Sequence, residues 1–104
     1  MVNPNCPISS IARILGRKWT FELIYHLRKR RRFCELQAVV GGVNPATLTE
    51  RLKSLEQGGI IRRREISKAP LHVEYELTEK GHALTPVLNA LVTWSRHWQP
   101  GDVT

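Results

Sequence analysis

Apolar residues recur first at helical spacing and then, past the middle of the chain, at the spacing of a strand. Ile8, Ile11, Ala12 and Leu15 form a short stripe closed by Gly16, which predicts a first helix ending on a glycine cap. Trp19, Leu23, Ile24 and Leu27 lie on one face of a second helix running to about Arg28. Phe33, Leu36, Val39 and Val40 supply the inner face of a third, shorter helix, and the Gly41-Gly42 pair breaks it. Asn44 can cap a fourth helix and Pro45 can occupy its first turn, where the missing N–H costs nothing. Leu48, Leu52 and Leu55 then repeat on one side until Gly58-Gly59.

From Ile60 to Ile66 and from His72 to Leu77 the period changes. Val73, Tyr75 and Leu77 alternate with His72, Glu74 and Glu76, and Ala69-Pro70 between the two runs is turn chemistry, so a β-hairpin is predicted. Thr78 and Glu79 start a further helix, interrupted near Pro86. Its apolar positions Leu84, Val87, Leu88, Leu91, Val92, Trp94 and Trp98 are too many for one packing face. The order of three helices, a hairpin and a last helix predicts a mainly α fold with a small β-hairpin, a winged helix-turn-helix with a terminal dimerisation helix. The whole chain, 1–104, reads as one such domain, and no internal repeat or low-complexity tract interrupts it.

Charge narrows the choice of partner. Sixteen Lys and Arg against nine Asp and Glu give a net charge of +7, which directs attention to a polyanion, nucleic acid first. A membrane partner is not expected, because no apolar run approaches the roughly 18 to 20 residues that span a bilayer. The stretch MVNPNCPISS lacks a basic region followed by an apolar one, which points to the cytoplasm. Cys6 and Cys34 are far apart, with no CxxC pair and no histidine at ligand spacing; neither a zinc site nor a disulfide is expected, and no cofactor is implied. His26, His72, His82 and His97 fall in different elements and outside any catalytic motif, so an enzyme is not expected.

Placing Leu48, Leu52 and Leu55 toward the core turns Ala46, Glu50, Lys53 and Gln57 outward, with Thr47, Thr49 and Ser54 on the flanks. A helix of this kind fits the major groove and reads mainly with its N-terminal half. Thr47, Thr49 and Glu50 are the candidate readers, Lys53 a candidate for phosphate or guanine, and Asn44 and Ala46 complete the predicted DNA surface. Glu50 is repelled by phosphates unless it accepts from cytosine N4 or pairs with Arg51 or Lys53. On the hairpin, Arg64 and Lys68 are the candidate backbone contacts, Lys68 at the tip, while Arg63 is expected to pair across the strands with Glu74 or Glu76. In the basic connector Arg28 to Arg32, Arg31 and Arg32 are favoured for phosphate.

Several ordered stretches also carry a family resemblance: Cys6-Pro7, GRKWTFELIYHL (16–27), RRFCELQ (31–37), ATLTERLKSLEQGGII (46–61), VEYELTEKG (73–81) and LTPVLNALVTW (84–94). Across almost its full length the chain resembles the HxlR-type transcriptional regulators, relatives of the MarR regulators. The broad apolar stripe of the terminal segment marks an interface, and the resemblance likewise implies a dimer formed through the terminal helices; the alternative is a last helix folded back onto its own domain. Ile8, Ile11 and Leu15 of the first and Leu84, Leu88, Leu91, Trp94 and Trp98 of the last are its expected interface. Two-fold pairing sets the recognition helices about 34 Å apart on an inverted repeat.

It also implies that Cys6 corresponds to an N-terminal cysteine with which some members sense electrophiles or oxidants. Cys34 stands where the family more often has a small polar residue, so that role does not extend to it; a structural place at the core edge is expected instead. His72 stands where the family usually has arginine before Val-Glu-Tyr, which weakens the case for a DNA contact there. The expected function is a homodimeric, sequence-specific repressor on duplex DNA, with a small-molecule effector left open. The alternative is a winged-helix protein-interaction module without sequence-specific DNA binding.

Overall fold

The structure, a computed structural model, describes residues 6–98. Residues 1–5, on which the reading of the N-terminus partly rests, lie outside the described residues, as do 99–104. The element order is α1 (Pro7–Leu15), α2 (Thr20–His26), α3 (Phe33–Val39), α4 (Pro45–Gln57), β1 (Ile61–Lys68), β2 (Leu71–Leu77), α5 (Glu79–His82) and α6 (Thr85–His97). This is the winged helix-turn-helix order, with α2, α3 and α4 as the trihelical unit and β1–β2 as the wing.

Local chemistry sets most boundaries. The Asn44 side-chain oxygen accepts from the Thr47 backbone N–H at 2.8 Å, and Pro45 opens α4. The far end of α4 closes with Ile60 N–H donating to Leu55 O (2.9 Å) and Gly59 N–H to Glu56 O (3.0 Å). Gly59 takes the left-handed φ of 75° that this double bond pattern needs. The expected interruption of the last helix falls at Ala83-Leu84, between α5 and α6, because the ring of Pro86 fits the first turn of a new helix and not the interior of an old one. Trp19 differs from expectation. It does not open α2 but precedes it with φ 78°, a left-handed conformation costing a non-glycine residue about 1–2 kcal/mol, and it turns the chain sharply between α1 and α2.

The core joins Leu23 and Ile24 of α2, Leu27 just after it, Leu36 of α3, Leu48, Leu52 and Leu55 of α4, and Ile60, Ile61, Leu77 and Leu88 from beyond. All three predicted leucines of α4 are therefore inward, each contributing about 1.5–3 kcal/mol by burial. Val43, in the loop before α4, is also buried, whereas Val39, expected inward, is exposed at the end of the short α3. Cys34 is exposed and not at the core edge.

In the wing, Ile61 pairs with Leu77, Arg62 with Glu76, Arg63 with Tyr75 and Arg64 with Glu74, and a bulge between Glu65 and Ser67 precedes the turn. Arg63 thus stands opposite Tyr75, correcting the expected pairing with Glu74 or Glu76; those acids project to the other face, which Arg62 and Arg64 share. The connector supplies an unpredicted edge: Arg31 forms an antiparallel bridge to Tyr75 of β2.

The terminal helices need a second correction. Leu88, expected between two copies, is only 6% exposed and belongs to the core of its own chain; Leu84 and Leu15 pack partly against that core. Ile8, Ile11, Leu91, Trp94 and Trp98 do remain exposed. Among the described residues no helix is long and apolar enough to cross a membrane.

Candidate nucleic-acid interface

With its leucines buried, α4 presents Ala46, Thr49, Glu50, Lys53 and Gln57 to solvent, and Thr47 and Ser54 lie half-buried on the flanks. This is the arrangement that the spacing predicts. The polar groups are not equally free. Thr49 Oγ1 donates to the Pro45 carbonyl at 2.8 Å, so what it offers outward is a methyl group and acceptor lone pairs. Asn44 uses its amide oxygen as the cap and retains its NH₂ for a partner.

Glu50 is the most heavily engaged residue of this face. Its Oε1 accepts from Arg17 Nη2 and, at 3.1 Å, from Arg51 Nη1. Arg51 in turn donates from Nε to the Lys18 carbonyl at 2.9 Å. The corner between α1 and α2, turned by Trp19, therefore lies against α4, with the Arg17 side chain on Glu50 and the Lys18 carbonyl on Arg51. The Lys18 ammonium sits 4.8 Å from the centre of the Trp19 ring. Sequence reasoning did not bring Arg17 beside this face; the basic pair Arg17-Lys18 ahead of α2 was the available signal.

The wing is less cationic than its composition suggests. Arg64 pairs with Glu76 at 3.1 Å and Arg62 approaches the same carboxylate at 4.0 Å. Arg30 reaches Glu74 at 3.8 Å, and His72 Nε2 lies 2.9 Å from the other oxygen of Glu74. Arg64 is thus partly neutralised. Lys68 is exposed at the end of β1, beside the Ala69-Pro70 turn, and enters no ion pair among the described residues.

The connector divides in the same way. Arg31, favoured for phosphate, is half-buried, and its Nε donates to the His26 carbonyl at 2.7 Å. Arg28 folds over Tyr25, 3.9 Å from the ring centre. Burial, and then the nearby Arg31 and Arg28 charges, hold the His26 imidazole below its ordinary pKa. Arg32 projects outward while its backbone N–H donates to Glu35 at 2.7 Å.

Away from this face, Cys6 occupies the N-cap position of α1 and is partly exposed. Its thiol is held below the usual pKa, chiefly by the Ser9 side chain and then by the backbone N–H groups of Ser9 and Ile8. A shallow apolar groove of about 530 Å³ runs between α2 and α6, lined by Phe21, Tyr25, Leu91 and Trp94 among others. Among the described residues no group of His, Cys, Asp and Glu could hold a metal ion.

Residues 14–102 match the model of the HxlR-like helix-turn-helix family. The HTH-type transcriptional regulator YodB of Bacillus subtilis (strain 168) is 36% identical over 105 residues, covering 98% of this chain and 94% of YodB. Among solved structures, a MarR-family transcriptional regulator from Porphyromonas gingivalis W83 superposes with a TM-score of 0.86 at 26% identity, covering 95% of this chain and 98% of that one. The redox regulator HypR in its oxidized form gives 0.84 at 32% identity, with 90% and 98% covered. Quinone-bound YodB from B. subtilis gives 0.77 at 34% identity, with 89% and 99% covered.

Proposed function

Because the chain belongs to the HxlR-like helix-turn-helix family of transcriptional regulators, we propose that it is a homodimeric repressor acting in the cytoplasm on an inverted repeat in duplex DNA. The observation that carries this reading is the division of α4 into a buried leucine side and an exposed side of small, polar and cationic residues. In the major groove, Thr47 and the Asn44 amide meet base edges, Ala46 and the Thr49 methyl offer apolar contact, and Lys53 meets phosphate or guanine. Lys68 and Arg32 hold the flanking backbone and carry little sequence information.

Support for a dimer comes from the apolar surface of the terminal helices. Ile8 is 66% exposed and Trp94 51%, and both belong to helices that show a broad uncovered stripe. Two copies joined there make one winged domain per half-site, and occlusion of a promoter is the simplest consequence. Cys6 is the proposed point of control: a thiol favoured as thiolate at a helix start, on an element of the dimer face, can change the pairing of two copies when an oxidant or quinone modifies it. The oxidized HypR and quinone-bound YodB structures support that reading by similarity.

The test is selection of bound fragments from genomic DNA by purified protein, followed by titration of the selected duplex across salt. Affinity should fall steeply with salt. Lys68→Ala should weaken all sequences alike and flatten the slope by about 0.9, the share of one phosphate. Thr47→Val should instead change which bases are selected. Salt-insensitive or absent retention of duplexes would favour the protein-interaction module.

A further inference from the structure

The shared carboxylate of Glu50 links the recognition helix to a cation 33 residues away in sequence, and its two partners differ in how firmly they are held. Arg51 is anchored: its side chain is 13% exposed and its Nε is bound to the Lys18 carbonyl. Arg17 is 42% exposed and makes no other side-chain hydrogen bond among the described residues. An exposed pair of this kind contributes little to folding, and a phosphate oxygen competes for the same guanidinium. Arg17 is therefore the partner that can leave.

We propose that Glu50 governs access of Arg17 to the DNA backbone and so converts the presence of one base into an extra phosphate contact. This rests on the DNA-binding reading above. Glu50 faces the groove one helical turn from Ala46 and beside Lys53, where a bare carboxylate is repelled by two strands of phosphate. It needs a donor. On a site that presents a base amino group there, cytosine N4 or adenine N6, the base can supply that donor, with Arg51 fixing the direction of the carboxylate. Arg17 then moves to a phosphate. On a site without the amino group, Arg17 stays on Glu50 beside the fixed Arg51, and the phosphate contact is lost.

Random-sequence duplex tests the idea without knowledge of the operator. Glu50→Gln should release Arg17 and raise affinity for random duplex about threefold, with a salt slope steeper by about 0.9, an additional loss of about 3.5-fold between 50 and 200 mM salt. Glu56→Gln removes the same charge from the exposed side of α4 without touching Arg17 and should leave the slope unchanged. In an Arg17→Ala background, Glu50→Gln should no longer steepen the slope. On selected duplex, wild type should already show the steeper slope, and Arg17→Ala should remove it.

If Glu50→Gln and Glu56→Gln behave alike, or if the Glu50→Gln effect survives in Arg17→Ala, Glu50 does not act through Arg17 and the inference is overturned while DNA binding stands. If wild type retains no duplex at modest salt, the DNA reading itself is lost, and this inference with it.

Discussion

The main chains of Arg31 and Tyr75 exchange two hydrogen bonds, Arg31 N–H to Tyr75 O at 3.0 Å and Tyr75 N–H to Arg31 O at 2.8 Å. The basic connector is thereby fastened to the wing, and its cations are sorted by that attachment. Arg31 turns back to the His26 carbonyl; Arg32, the next residue, projects to solvent. Arg31→Ala should lower stability by about 1.5–3 kcal/mol, the value of a hydrogen bond from a charged group, with little change in the salt dependence of DNA binding. Arg32→Ala should do the reverse. Denaturant midpoints and salt slopes measured on both variants separate the two roles, and matching profiles would contradict the sorting.

Gly81 is buried where α5 meets the entrance of β1, and a Cβ there would overlap the Ile60 carbonyl oxygen and crowd the Leu77 side chain. The obstacle is backbone, which cannot swing aside. Gly81→Ala should cost about 3 kcal/mol and lower Tm by roughly 10 °C or more. Gly41→Ala, where a Cβ meets nothing within 4 Å, is the matched control. Equal melting of the two variants would show that the crossing is looser than described.

Leu88 and Leu91 lie on the same helix with different duties. Leu88→Ala should remove core packing and destabilise the chain by about 2–5 kcal/mol. Leu91→Asp, on the exposed stripe, should leave the far-ultraviolet circular dichroism intact and shift sedimentation from a dimer to a monomer of 11.9 kDa. DNA affinity should fall with it, since each half-site then binds alone. Persistence of the dimer in Leu91→Asp would move the interface elsewhere.

The lowered pKa of Cys6 sets a direction for its chemistry. The thiolate is the nucleophile, so alkylation quickens as pH rises through the thiol pKa, and a lowered pKa moves that rise to lower pH. In a Cys34→Ser background, the midpoint of alkylation rate against pH should lie below that of a free thiol. Ser9→Ala should move it upward, because the Ser9 side chain is the largest contribution to the shift. Cys6→Ser should abolish any response of DNA binding to quinone or peroxide; an unchanged response would place the sensor at another residue or remove it.

Much of this molecule was written in local pattern. The spacing of Leu48, Leu52 and Leu55, the cap at Asn44, the proline at Pro45 and the glycine pair after Gln57 together determined α4 and its outward side, because helix period and capping depend on residues within a few positions of one another. The alternation through Val73, Tyr75 and Leu77 determined β2 for the same reason.

What required the tertiary structure was the partner of each charge and the depth of each apolar residue. Arg17 reaches Glu50, Arg31 joins Tyr75, and Glu76 takes Arg62 and Arg64 because the chain path brings distant segments together, and periodicity is blind to that path. Leu88 and Leu91 satisfy the same helical repeat, yet one is covered and the other bare: period fixes a direction around the helix axis, while burial depends on which element stands in that direction.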